Sequence, residues 1–308
     1  MSNVEKQIDF MGKRKIAAAL SILAVLVAIG SLAFKGLVFG LDFTGGTLVE
    51  VEYKTAPDLN QVRTQLTDSG YEKLTVQNFG ADTAVLVRLA QGFSDTVGEE
   101  VLTALKANGD DVTLKRAEFV GAQVGEELRE QGGLGLLFAL GIVMVYVAMR
   151  FQLKFSFGAV VALAHDVIIT LGLFSLMSWD FDLTVLAALL AVIGYSLNDT
   201  IVVSDRVREN FRKMRKGSSE EIINVSLNQT LSRTIVTSLT TILVLVALYL
   251  FGGEMINGFS KALLIGVLVG TYSSIYVAGN VLLALGVSKE DLVVPVKEGE
   301  GEEVDEMP

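Results

Sequence analysis

Six apolar runs, each about as long as a bilayer is thick, divide this chain and leave few folds open to it. They cover residues 16–34, 132–149, 155–179, 183–204, 234–253 and 262–287. A helix needs about 20 apolar residues to cross the hydrocarbon core. Only helices and closed barrels satisfy every backbone polar group there. The runs are continuously apolar rather than alternating, which selects helices. With 51% hydrophobic residues and a mean hydropathy of +0.51, the composition agrees with a polytopic α-helical membrane protein of six transmembrane helices. The first run lacks an A-x-A-like cleavage site, so it reads as a retained anchor.

Basic residues in the short loops set the expected orientation. Residues 1–15 carry Lys6, Lys13, Arg14 and Lys15, and the loop between spans two and three carries Arg150 and Lys154. Between spans four and five lie Arg206, Arg208, Arg212, Lys213, Arg215, Lys216 and Arg233. The opposite side has only Lys261. Both termini are therefore expected in the cytosol, with residues 35–131 outside. From Lys289 onward there are eight acids and two lysines, an acidic cytoplasmic tail (288–308) expected to be disordered.

Residues 35–131 read as a soluble domain. Strand-like alternation marks 47–53, 74–79 and 83–89, with a turn at Gly80-Ala81-Asp82. Asp58 and Gln61, after Pro57, look like a capping box opening a helix to Ser69. A second helix is expected over 95–108, ended by Gly109, and a last strand over 112–120. Strand, helix, strand, strand, helix, strand is the ferredoxin-like α+β order. Nine bases against sixteen acids give this segment a charge of −7, which argues against nucleic-acid binding.

Three places break the apolar rule of the spans: His165-Asp166 in span three, Asn198-Asp199 in span four, and Arg233 at the mouth of span five. A carboxylate at a helix centre costs about 2.5–3.5 kcal/mol on insertion scales, so such a group is functional by default. At about 1.5 Å per residue, Asp199 is expected about 8 Å, and His165 and Asp166 about 15 Å, inside the cytosolic face. All of these groups then share the inner half of the membrane, as a proton path requires. Structural readings stay open: a permanent Asp199–Arg233 ion pair, His165-Asp166 as glue between helices, and Arg233 as an ordinary positive-inside residue. The glycines of Gly132-Gly133-Leu134-Gly135 read as close packing rather than a ligand site. No cysteine and one histidine exclude thiolate and multi-histidine metal sites, and no cofactor is expected. An intramembrane aspartyl protease using Asp166 and Asp199 would suit paired carboxylates, but neither lies in a Gly-x-Gly-Asp context. A pure scaffold is the remaining bland reading.

The motifs resemble one known family. Gly40-Leu41-Asp42-Phe43-Thr44-Gly45-Gly46-Thr47 is similar to the opening signature of the SecF family of bacterial protein-export subunits. So are Val120-Gly121 with Val124-Gly125, Ala164-His165-Asp166-Val167, and Gly194-Tyr195-Ser196-Leu197-Asn198-Asp199. Asp205-Arg206-Val207-Arg208-Glu209-Asn210, Leu231-Ser232-Arg233-Thr234 and Gly270-Thr271-Tyr272-Ser273-Ser274-Ile275 extend the likeness over roughly 8–290. The resemblance implies a six-span unit paired with SecD, similar in architecture to resistance-nodulation-division transporters. It implies work beside the SecYEG channel after the ATP-driven motor SecA, with YajC and YidC as associated machinery. The proton-motive force would complete release of an unfolded exported chain outside the inner membrane. The resemblance assigns proton coupling to Asp199 and Arg233. The alternative is half of a proton-driven small-molecule or lipid exporter, against which stand the single outer domain of about 95 residues and the absence of a second six-span unit in this chain.

Overall fold

The structure is a computed structural model that describes residues 7–71, 74–90, 94–107, 109–151, 153–214, 216–253, 256–288 and Asp291. The rest of the acidic tail lies outside the described residues. Among those described, six helices are long and apolar enough to cross a membrane. In chain order, α1 is Arg14–Phe34, entered by a 3-10 turn at Met11–Lys13, and two short elements follow, β1 (Val38–Phe39) and α2 (Leu41–Thr44). The outer unit comprises β2 (Gly46–Tyr53), α3 (Leu59–Asp68), β3 (Leu74–Phe79), β4 (Ala81–Leu89), α4 (Val97–Lys106) and β5 (Val112–Val120). The chain returns through α5 (Ala122–Arg150), α6 (Leu153–Met177), β6 (Asp180–Phe181), α7 (Leu183–Lys213), α8 (Ser219–Phe251) and α9 (Asn257–Ala284).

Several helices outrun their apolar segments. Hydropathy marks where a membrane can sit, while backbone bonding decides where a helix ends. The polar start of α5 adds turns carrying Glu126, Glu127, Arg129 and Glu130. The basic segment between spans four and five is helical on both sides of a short connection at 214–218. There Ser218 caps α8 by accepting from the Glu221 N–H at 3.2 Å, while the Glu221 side chain accepts from the Ser218 N–H at 2.9 Å. That closed capping box fixes the start of α8. Arg233 is therefore fourteen residues, about 21 Å, into α8, directly before its apolar run.

Three helices form the centre of the membrane part. Half of the most apolar window of α6 is buried, against 6% for α5. Helices α7 and α9 resemble α6, while α1, α5 and α8 flank them. Small residues recur on every fourth position of α9, at Gly258, Ala262, Gly266, Gly270, Ser274 and Ala278. In lipid such a stripe lets backbones approach closely. A Cβ on Gly266 would lie 2.1 Å from Val192 Cγ2, and one on Gly270 would lie 3.1 Å from Ser196 Cβ. Of the glycines at 132, 133 and 135, only Gly132 is tightly packed, its Cβ position 2.6 Å from Leu186; the other two face open space. The N-terminal segment is held by amide side chains of α8. Asn224 Oδ1 accepts from the Phe10 N–H at 2.8 Å, and Asn228 Oδ1 accepts from the Ile8 N–H at 2.8 Å.

The outer sheet has the order β3-β4-β2-β5 with every neighbouring pair antiparallel. With α3 and α4 on one face, this is the ferredoxin-like arrangement. Its core gathers Val49, Val51, Val62, Leu66, Val85 and Val101, the inward sets of alternating strands and amphipathic helices. Asp58 caps α3 through the Asn60 N–H at 2.9 Å. Gly80, at φ +77°, makes the hairpin tighter than a three-residue turn, and β4 starts at Ala81. The sheet unit occupies Gly46–Val120, whereas residues 38–44 belong with the outer ends of the membrane helices. Residues 46–120 expressed alone should give the circular dichroism of a folded αβ unit; a coil spectrum would count against it. Burial, with Asp110 adding to it, pushes the Tyr53 phenol up from the ordinary 10.0 to about 12. The folded state holds that proton more tightly. Stability from Tyr53 is thus fully present below about pH 10 and lost as pH rises towards about 12. A phenolate absorbance titration of the isolated unit reads it.

Candidate functional site

Two carboxylates lie buried where α6, α7, α8 and α9 meet. Asp166 on α6 is 0% exposed and Asp199 on α7 is 8% exposed. Burying a charge is costly unless it is paired or hydrogen-bonded, and here the donors are hydroxyls. Asp199 Oδ1 accepts from Thr234 Oγ1 at 2.6 Å and its Oδ2 from Ser274 Oγ at 2.5 Å. Asp166 Oδ2 accepts from Ser196 Oγ at 2.6 Å and from Ser273 Oγ at 2.7 Å. Adjacent residues on a helix point about 100° apart, so Ser273 and Ser274 serve two different carboxylates from one turn of α9. Each carboxylate has its own donors and neither shares a bond with the other among the described residues. The shared proton of an aspartyl protease dyad needs two carboxyls in contact, which this arrangement does not supply.

His165 extends the site towards α1. Its Nδ1 lies 2.9 Å from Asp166 Oδ1, and its ring stacks on Tyr272 with centroids 6.2 Å apart. Tyr272 in turn donates to the Ala17 carbonyl at 2.8 Å. Nε2 of His165 and the Thr200 hydroxyl are buried with no partner among the described residues. Buried polar groups are paired in the great majority of cases, which sets these two apart.

The structure does not bring all the expected residues together. Asp199, Asp166 and His165 converge. Asn198 is exposed on the outward face of α7, one position from Asp199. Arg233 is exposed on α8 and makes no ion pair among the described residues; its neighbour Thr234, 1% exposed, takes the inward position against Asp199. Arg233 and Asp199 nevertheless sit at one depth. Asp199 is fourteen residues before the end of α7, as Arg233 is fourteen after the start of α8. Ser196, Thr234, Ser273 and Ser274 lie within the motifs quoted above, yet the sequence assigns them no role. Their signal is polar residues at four-residue spacing in apolar helices, as in Thr230, Thr234 and Ser238.

At the first turn of α7 the Leu183 N–H donates to Asp42 Oδ2 of the Gly40–Thr47 signature at 3.1 Å. A family model described as protein export membrane protein SecD/SecF, C-terminal, matches residues 100–288. The chain belongs to the SecD/SecF family. A second model, the SecD/SecF GG motif, matches residues 30–57. Among curated relatives, the protein translocase subunit SecF of Vibrio alginolyticus is 52% identical over 99% of this chain and 98% of its own length. That of Pseudomonas aeruginosa is 53% identical over 94% of each chain. A crystal structure of SecDF from Thermus thermophilus, described as a translocon-associated membrane protein, matches with a TM-score of 0.81 at 38% identity. A SecDF structure in a super-membrane-facing form gives 0.71 at 39% identity. Each match covers 92% of this chain, which spans only 39% of the SecDF chains. The SecD/SecF likeness thus runs through both the outer unit and the six helices.

Proposed function

We propose that this chain pairs with a SecD-type partner and couples the proton-motive force to the late, ATP-independent stage of protein export. In this reading SecA drives a polypeptide through SecYEG, and the six-span pair then spends proton flow on moving the outer domains; YajC and YidC accompany the machinery. The site lies in the inner membrane, with both termini in the cytosol and Gly46–Val120 outside. The observation that carries the reading is Asp199: a buried carboxylate on a candidate membrane helix, held by the Thr234 and Ser274 hydroxyls, at the depth of Arg233 on the next helix, which has no ion pair among the described residues. One charge crossing 100 mV is worth about 2.3 kcal/mol, so a few protons per stroke suffice to bias a rigid-body motion. The long SecDF neighbours, of which this chain matches 39%, support a partner that supplies the rest. Against the exporter alternative stand the Vibrio alginolyticus and Pseudomonas aeruginosa relatives, both named as protein translocase subunits. The test is export of a reporter polypeptide into inverted vesicles containing this chain and its partner, with and without a proton gradient. No gain from the gradient overturns the reading.

Orientation is checked separately. A reporter active only outside the cytosol should be active when fused after Gln131 and silent when fused at Lys216. Activity at Lys216 sinks the six-span arrangement, because the basic ends of α7 and α8 would then lie on the wrong face.

A further inference from the structure

The Gly40–Thr47 signature is far from the buried carboxylates, yet it is bonded to the helix that carries one of them. The first turn of any helix leaves N–H groups unsatisfied. At the outer end of α7, Asp182 caps the turn by accepting from the Val185 N–H at 2.9 Å. The first amide, Leu183 N–H, instead donates to Asp42 Oδ2 at 3.1 Å. Two further attachments fix the same joint. Gly40 N–H donates to the Phe181 carbonyl at 2.9 Å within the short parallel pairing of β1 with β6. Phe43, 4% exposed, stacks on Phe181 with centroids 5.7 Å apart.

On its other side the signature runs straight into the outer sheet. Gly45 (φ +72°) and Gly46 (φ +143°) turn the chain from α2 into β2, a central strand. A Cβ on Gly45 would lie 2.7 Å from the backbone of Ala122, where α5 begins. Only three residues, Phe43, Thr44 and Gly45, therefore separate Asp42 from the sheet. Along α7, Leu183 and Asp199 are sixteen residues apart, about 24 Å of continuous helix.

We propose that Asp42 is a positioning residue for energy coupling: its carboxylate, seated on the first amide of the Asp199 helix, makes the outer domain follow tilting or sliding of that helix. The inference rests on the proton-coupling reading above. An acidic acceptor is suited to the place, since the helix N-terminus favours negative charge, and a short side chain holds the joint without slack.

The experiment compares Asp42→Ala, Asp42→Asn and Asp199→Asn, each assembled with the partner in vesicles. Amide exchange at Leu183 should quicken by about tenfold in Asp42→Ala, where the acceptor is gone, and stay near the parent in Asp42→Asn, which keeps an acceptor oxygen. Gradient-dependent export should be lost in Asp42→Ala and largely retained in Asp42→Asn. A parent-like gradient response in Asp42→Ala overturns the proposal, and so does equal loss in both variants. If Asp42→Ala does not accumulate, Asp42→Glu replaces it: one added methylene displaces the acceptor and should lower the gradient response, and a parent-like response overturns the proposal. If Asp199→Asn stays gradient-responsive while Asp42→Ala does not, the Asp199 reading fails and the joint stands. The reverse pattern removes the joint alone.

Discussion

Inverted vesicles carrying Asp199→Asn should export a reporter chain at one rate with or without a proton gradient, while the ATP-driven stage continues. Asparagine is close to isosteric with aspartate. Its carbonyl can still accept from one of the Thr234 and Ser274 hydroxyls, and its amide can donate to the other oxygen. The packing around residue 199 is kept and only the titratable charge is removed, so the variant separates structure from coupling. The position of Arg233 suggests how the charge is used. Helix α8 presents Thr234 to Asp199 and turns Arg233 outward. A roll of α8 by one residue, about 100°, would exchange a neutral hydroxyl for a guanidinium opposite the carboxylate. In the proposed cycle that roll would place a permanent positive charge beside the carboxylate and withdraw it again. Arg233→Ala should then also abolish the gradient response. Arg233→Lys should restore part of it, because an ammonium carries the charge without the planar fork. A gradient response in Asp199→Asn equal to the parent's would move the switch to His165 and Asp166.

The parts of this molecule that were legible in its sequence are those decided by run length or by period two. The six spans follow from uninterrupted apolar runs. The outer sheet follows from alternation such as that of β2, whose Val49, Val51 and Tyr53 are buried while Leu48, Glu50 and Glu52 are less so. Asp199 was legible because a carboxylate in an apolar helix has no cheap explanation. What sequence did not show is azimuth. In Leu231-Ser232-Arg233-Thr234 the arginine is the conspicuous residue, but whether it or Thr234 faces Asp199 depends on a rotation of about 100° that only packing decides. The same holds for Asn198 beside Asp199. Helix ends were hidden for a different reason. The start of α8 is set by a capping box and that of α5 lies in polar helical turns before its apolar run, and a hydropathy window is blind to both.

The contact between α7 and α9 sets up the second large effect, at a residue with no polar atom in its side chain. Gly266→Leu should prevent a stable protein from accumulating, and Gly266→Ala should lower its unfolding free energy by about 1–3 kcal/mol, the usual cost of overpacking. The reason is local. The Cβ position of Gly266 lies 2.1 Å from Val192 Cγ2 and 2.6 Å from Cγ1, and Val192 is 1% exposed with nowhere to turn. The two helices must part to admit even a methyl group. Ser274, eight residues along α9 and about 12 Å away, would lose its 2.5 Å bond to Asp199, and the Ser196–Gly270 contact beside Asp166 would loosen. The substitution therefore damages both carboxylate sites without touching either. Val192→Ala removes the two clashing methyl groups and leaves Cβ at 2.9 Å from the new atom. Each single change should destabilise, Val192→Ala by opening a cavity, yet the double variant should be more stable than Gly266→Ala alone. A coupling of about 0.5–3 kcal/mol is the range for residues in contact. Thermal unfolding in detergent measures the stability cycle, and gradient-dependent export measures its consequence. Strict additivity of the two substitutions would show that α7 and α9 do not meet at this point, and the geometry of both buried carboxylates would fall with that contact.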